Sequence, residues 1–178
     1  MPELDTVAQE VKAEIARIPL PITIAAGGLI LVTAVFAIRS GWPLRYYDEK
    51  QYMELAIRFA HGGGYELFGA PTAYRPPAWP GLLALSAAFG SPREWVMLIP
   101  VLLMVVAAVL AGMIAIRITG SRWGAIATPL VLAYPLNLYT ASTLYPQAFA
   151  TFLLLALLLV VVRATDSWDT GPRLTVAG

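Results

Sequence analysis

RWGAIATPLVLAYPLNLYTASTLYPQAFATFLLLALLLVVVR, residues 122–163, holds 40 consecutive uncharged positions between Arg122 and Arg163. A helix crossing the hydrocarbon core of a bilayer needs about 20 apolar residues, so this run is long enough for two crossings. It has to break near its middle, because Tyr134-Pro135-Leu136-Asn137 and Tyr145-Pro146 interrupt helical hydrogen bonding. Two further uncharged runs lie upstream, between Arg17 and Arg39 and between Glu94 and Arg117. Each fits one crossing. The span-length rule predicts helices at about 18–38, 95–117, 122–136 and 145–163; the third is short, and either tilts little or continues as irregular backbone lining a protein-covered cavity.

Composition agrees. The chain of 178 residues is 58% hydrophobic and 13% charged, with a mean hydropathy of +0.69, far from a soluble domain of this size. The expected fold is an all-α integral membrane protein, a single domain over residues 1–178 with about four spans. Cysteine is absent, which excludes disulfides, thiolate metal sites and cysteine nucleophiles. A net charge of +1 with scattered arginines offers no basic patch for nucleic acid.

Before the first span, Leu4, Val7, Ala8, Val11, Ile15 and Ile18 recur at helical spacing, and Glu10, Lys12, Glu14 and Arg17 take the other face. This reads as an interfacial helix leading into an uncleaved anchor. Orientation rests on little: the basic residues divide six against six between the two sides. The short connection from Arg117 to Arg122 carries two arginines and no acid, while the turn between the third and fourth spans carries no charge. That places the N-terminus in the cytoplasm and residues 40–94 outside it.

Residues 40–94 form the one extended polar segment. From Asp48 to Ala60, Tyr52, Leu55, Ala56 and Phe59 share a helical face, with Lys50, Glu54 and Arg58 opposite. At 100° per residue Asp48 falls on the apolar face in line with Phe59, and Glu49 points sideways. Asp48 with Gln51 fits a capping box, a local role that still permits the carboxylate to accept a proton. His61-Gly62-Gly63-Gly64 reads as a helix stop rather than a metal site. In Tyr74-Arg75-Pro76-Pro77 the prolines stiffen the backbone around Arg75, whose guanidinium suits either a phosphate or a snorkelling role at the interface. Pro80 to Phe89 reads as a second juxtamembrane helix, stopped by Gly90.

This ordered set is similar to the N-terminal part of GT-C membrane glycosyltransferases. It comprises one span, Asp48-Glu49 with Tyr52 on a juxtamembrane helix, a Gly-Gly-Tyr turn, Thr72-Ala73-Tyr74-Arg75-Pro76-Pro77 with Pro80, and Leu144-Tyr145-Pro146-Gln147 opening a Leu-rich span. Protein mannosyltransferases and lipid A aminoarabinose transferases are the members it resembles, over about residues 20–178. The resemblance implies a multi-pass protein of the plasma or inner membrane. Its activity would be transfer of a sugar from a polyprenyl-phosphate donor to a hydroxyl of a glycan, lipid or protein acceptor, with inversion. It implies Asp48 as catalytic base and Glu49 as second acid, with Arg75, Tyr74, Tyr52 and Gln147 around the substrate phosphate. A divalent cation bridged by acids is the cofactor such a site would admit, but Gln147 stands where many relatives carry an acid. Family members have more spans, and Arg173 to Gly178 reads as the start of another apolar helix, so the chain is expected to be the N-terminal portion of a longer module. The rival expectation is a nonenzymatic small membrane protein, an assembly subunit or lipid carrier, that docks a partner through residues 40–94.

Overall fold

The computed structural model describes residues 18–39, 44–88 and 93–169. The expected interfacial helix before residue 18 lies outside the described residues, as does the chain after residue 169. The elements are, in order, α1 (Leu20–Arg39), α2 (Tyr47–Ala60), a hairpin of β1 (Glu66–Leu67) and β2 (Ala70–Pro71), α3 (Ala78–Ala88) and α4 (Arg93–Thr119). A 3₁₀ turn (Arg122–Ile126), α5 (Ala127–Ala133), α6 (Pro135–Ala141) and α7 (Gln147–Asp169) follow. The chain is helical as expected, except for the hairpin, which periodicity does not announce.

Among the described residues, three helices are long and apolar enough to cross a membrane: Leu20–Arg39, Val96–Thr119 and Gln147–Thr165. They follow the expected spans to within a few residues. Their outward faces carry Leu20, Ile24 and Leu31 on α1 and Leu154, Leu157 and Val160 on α7, all exposed. Water would penalise such faces and a lipid tail would not, so the architecture is that of an integral membrane protein.

The expected span at 122–136 is not one helix. Its 3₁₀ turn covers five residues and α5 seven, and Tyr134 then takes extended backbone (φ −71°, ψ 119°) before α6 adds seven more. Pro135 explains the break: its ring excludes Tyr134 from helical geometry, and its missing amide suits the first position of the next helix. The three pieces nonetheless run back along α4. Gly112 and Gly124 bring the 3₁₀ turn against the far half of α4, where a Cβ on Gly124 would lie 2.6 Å from backbone atoms of Ala115 and Ile116. At the other end, Ala141 packs with Val101 and Met104 of α4, Ala37 of α1 and Ala148 of α7. The segment therefore starts at one end of α4 and finishes at the other, and α7 then runs parallel to α4.

Helices α2 and α3 form a platform over the starts of α4 and α7. Its core joins Tyr52, Met53 and Ala56 of α2, Trp79, Leu83 and Ala84 of α3, Val96 and Met97 of α4, and Leu144 of the α6–α7 linker. The second juxtamembrane helix begins at Ala78, two residues ahead of the expected Pro80, and proline is tolerated there because first-turn amides have no helical partner. The expected stop of α2 is present. His61 is the C-cap, its Nδ1 donates to the Ile57 carbonyl at 2.8 Å, and Gly62 takes φ +74°.

Candidate functional site: an acid and an arginine on the platform

The start of α2 sets the site. Its N-cap is Tyr46, so Asp48 is the second helical residue and Glu49 the third. The capping carboxylate is therefore Glu49 rather than Asp48. Glu49 Oε2 accepts the amides of Arg45 at 2.8 Å and Tyr46 at 2.9 Å, and Oε1 accepts the amide of Leu144 at 2.9 Å. The side chain is fully buried. Its expected sideways orientation is thus corrected: Glu49 and Met53 are buried together with Tyr52, Leu55 and Ala56, which were expected on the packed face of α2. Phe59, expected on that face, is exposed. The difference arises because α3 and the Leu144 segment approach α2 from the Glu49 side, and a helical wheel carries no information about where neighbours lie.

Asp48, freed from capping, meets Arg75. Arg75 Nη2 donates to Asp48 Oδ1, and the same side chain donates through Nε at 3.0 Å and Nη2 at 2.7 Å to Gln51 Oε1. Asp48 and Gln51 are one helical turn apart, so the two acceptors are held side by side on one rigid element. The guanidinium lies between two aromatic faces, 5.0 Å from the Tyr52 centroid and 4.7 Å from that of Tyr74. Tyr65 donates from its hydroxyl to the Arg75 carbonyl at 2.9 Å, which fixes the backbone before Pro76-Pro77. Burial works to lower the Arg75 pKa, but the hydrogen bond to Asp48 and the neighbouring Tyr52 outweigh it, and the net shift is upward. Burial and the nearby Tyr52 push the Tyr65 phenol up, against the pull of Arg75. Both groups therefore keep their protons across the physiological range.

A cavity of about 560 Å³ opens beside this cluster, between the start of α2 and the hairpin. Gln51 and Tyr74 are shared between the cluster and the cavity wall, and Tyr47, Phe68 and Thr72 complete its lining with the strand residues. The hairpin pairs Glu66 with Pro71 and Leu67 with Ala70, which leaves Phe68-Gly69 as a two-residue turn. Both turn residues have positive φ, 57° for Phe68 and 76° for Gly69. Paired positive φ values are what a twisted hairpin asks of its turn, and Asn, Asp or Gly usually supplies the first position. A phenylalanine there stores about 1–3 kcal/mol of backbone strain. Its ring is 74% exposed, and it lies nearly parallel to that of Tyr47, at 13° with centroids 6.4 Å apart.

Of the site residues expected from sequence, the structure brings together Asp48, Arg75, Tyr74 and Tyr52. Glu49 lies beneath them with its carboxylate committed to three backbone amides. Gln147 is exposed in the first turn of α7 and makes no hydrogen bond to any of them. Gln51, Tyr47 and Phe68 were not expected at the site. Gln51 was legible, being three residues from Asp48 on a helix, whereas Phe68 depends on a turn whose strands are two residues each. The donor set does not fit the divalent cation that the resemblance would admit: Arg75 occupies Asp48 Oδ1 and Gln51 Oε1, and no group of three acids or histidines occurs among the described residues. Comparison with protein-family models, curated proteins and solved structures finds no match to this chain.

Proposed function

We propose that this chain carries the site of a membrane glycosyltransferase resembling the GT-C type, which moves a sugar from a polyprenyl-phosphate donor to a hydroxyl acceptor with inversion. The observation that carries the reading is the Asp48–Arg75–Gln51 cluster beside an open cavity, on a platform across the ends of two membrane-length helices. In this reading residues 122–141 make a fourth, broken crossing, and its break, where Tyr134 and Leu136 are exposed, faces a protein neighbour or a water-filled cavity, the settings in which irregular backbone is tolerated at membrane depth. The protein lies in the plasma or inner membrane with its N-terminus in the cytoplasm and the platform outside.

Arg75 holds one Asp48 oxygen, Oδ1, and Oδ2 remains for a substrate hydroxyl. As the acceptor oxygen bonds to the anomeric carbon, its proton passes to Asp48, and the bond from that carbon to the phosphate oxygen breaks. The polyprenyl phosphate leaves with the electron pair. Neither Asp48 nor Gln51 engages Arg75 Nη1, so its two donors are available to the departing phosphate, a geometry that a planar guanidinium suits. Glu49 is a positioning residue here, since it fixes the first turn of α2 and with it Asp48.

The test is transfer of labelled sugar from a polyprenyl-phosphate donor by purified intact protein and its Asp48→Asn variant, at equal amounts. Asn still accepts a hydrogen bond from Arg75 but cannot take the proton, so turnover is expected to fall by about 10²-fold or more with thermal stability unchanged. Turnover near the wild-type level would remove Asp48 as the base.

A further inference from the structure

The cavity between α2 and the hairpin is too large and too particular to be a packing fault. Its 560 Å³ lies within the range of about 300–1,000 Å³ typical of small-molecule pockets. One wall carries two nearly parallel rings, Tyr47 and Phe68, on residues that are both mostly exposed. The other includes three residues with polar side chains, Gln51, Thr72 and Tyr74. Thr72 Oγ1 accepts the Tyr74 amide at 3.1 Å, which leaves its own proton to donate outward.

We infer that this cavity binds a pyranose ring, which lies with its C–H face against an exposed ring of the Tyr47–Phe68 pair and its hydroxyls toward Gln51, Thr72 and Tyr74. An aromatic face is the negative part of its quadrupole and attracts polarised C–H groups. A pyranose offers those on one face and a ring of hydroxyls at its edge, which matches a cavity with one aromatic and one polar wall. An acyl chain would leave the polar wall unpaired, and the lining itself holds no cation, so a phosphate would be met by Arg75 beside the cavity rather than within it. The backbone of Phe68 points the same way: a turn that glycine or asparagine would make without strain holds instead a largely exposed aromatic residue beside Tyr47, and strained residues persist at ligand clamps. Gln51 carries the ring to the chemistry, because the oxygen that accepts from Arg75 belongs to the same amide that lines the cavity. The binding claim stands on the cavity; only the use of the sugar, as acceptor or as the transferred residue, rests on the transferase reading.

Phe68→Gly separates the two roles of this residue, because glycine relieves the backbone while deleting the ring. Saturation-transfer NMR on purified intact protein would use the methyl glycosides of glucose, galactose and mannose, with acyclic sorbitol as a control. At least one methyl glycoside is expected to receive saturation through its ring C–H protons and sorbitol none. Phe68→Gly should abolish that signal or weaken binding at least tenfold, with a melting temperature equal to or above wild type. If the methyl glycosides are silent, a polyprenyl-phosphate sugar in the same detergent should show a Phe68-dependent signal on its sugar protons, which assigns the cavity to the donor. Silence from both probes, equal response to sorbitol, or a signal unchanged in Phe68→Gly overturns the proposal. Asp48→Asn should leave binding intact while lowering transfer, so loss of the catalytic reading and loss of this one are told apart.

Discussion

Glu49 and Leu144, 95 positions apart in the chain, are joined by a hydrogen bond of 2.9 Å from the Leu144 amide to the buried Glu49 carboxylate. The Leu144 carbonyl is held as well, by Trp79 Nε1 at 2.8 Å, so both backbone polar groups of one linker residue are taken by the platform above it. Buried backbone groups of a linker between helices need such partners, since neither water nor a helical ladder supplies them. Tyr46 adds a third tie, through its hydroxyl to that of Tyr139 and its ring against Tyr145 at 5.6 Å. The platform and the linker are thereby one structure, and the position of Asp48 depends on the linker.

Glu49→Gln tests that dependence. The amide keeps one acceptor oxygen and turns an NH₂ toward backbone amides that also donate, so at least one buried donor loses its partner. A hydrogen bond to a charged group contributes about 1.5–3 kcal/mol, and the variant is expected to lose stability of that order. Thermal unfolding of purified protein should show the drop for Glu49→Gln and little change for Asp48→Asn. Equal stability of the two variants would contradict the assignment of Glu49 as the buried clamp.

The ion pair between Asp48 and Arg75 calls for a smaller number. The Asp48 side chain is 36% exposed, and solvent screens much of the attraction. A double-mutant cycle of Asp48→Ala and Arg75→Ala, read by thermal unfolding, should give a coupling of about 0.5–1 kcal/mol. Arg75→Ala alone should cost more than this coupling, because it also removes the stacking on Tyr52 and Tyr74 and the bonds to Gln51. A single-mutant cost no larger than the coupling would mean that those contacts add nothing.

These contrasts mark what was readable in the chain. Span positions were legible because the bilayer imposes a length on uncharged runs, and the stop at His61-Gly62 because only glycine accepts that φ cheaply. The cluster of Asp48 with Arg75 was half legible: both residues stand out, but their pairing bridges 27 positions through the hairpin. The roles of Asp48 and Glu49 were not legible. A wheel treats α2 as isolated, and Glu49 is drawn inward by a peptide amide near the far end of the chain. The break at Tyr134-Pro135 was expected, yet sequence could not say that the pieces on either side would remain short and lie along α4.

Close packing of those pieces on α4 yields a graded series of glycine replacements. A Cβ on Gly124 would meet Ala115 and Ile116 backbone atoms at 2.6 Å, and a helix backbone cannot step aside. On Gly112 it would collide with Thr128 Oγ1, a side chain able to rotate, and alanine would also favour the helix. On Gly27 it would meet nothing within 4 Å. Gly124→Ala is expected to cost about 1–3 kcal/mol or more, Gly112→Ala less, and Gly27→Ala nothing or a slight gain. Melting temperatures in one detergent give the order, and an undisturbed Gly124→Ala would mean that the 3₁₀ turn does not sit against α4 as described.

The broken segment also decides the topology. If residues 122–141 cross the membrane in pieces, the turn at Arg122 and the platform at Lys50 lie on opposite sides, with the arginine-bearing turn inside. The chain has no cysteine, so single replacements report without background. Lys50 and Arg122 are both exposed, which makes Lys50→Cys and Arg122→Cys accessible to reagent on their own sides. In intact cells a membrane-impermeant maleimide should label Lys50→Cys and spare Arg122→Cys, and both should react after permeabilisation. Labelling of both in intact cells would put the two ends of α4 on one side and abolish the crossing. The reverse pattern would keep the crossing and turn the protein over, placing Asp48 and Arg75 in the cytoplasm, where a transferase using an externally displayed polyprenyl-phosphate sugar could not reach its donor.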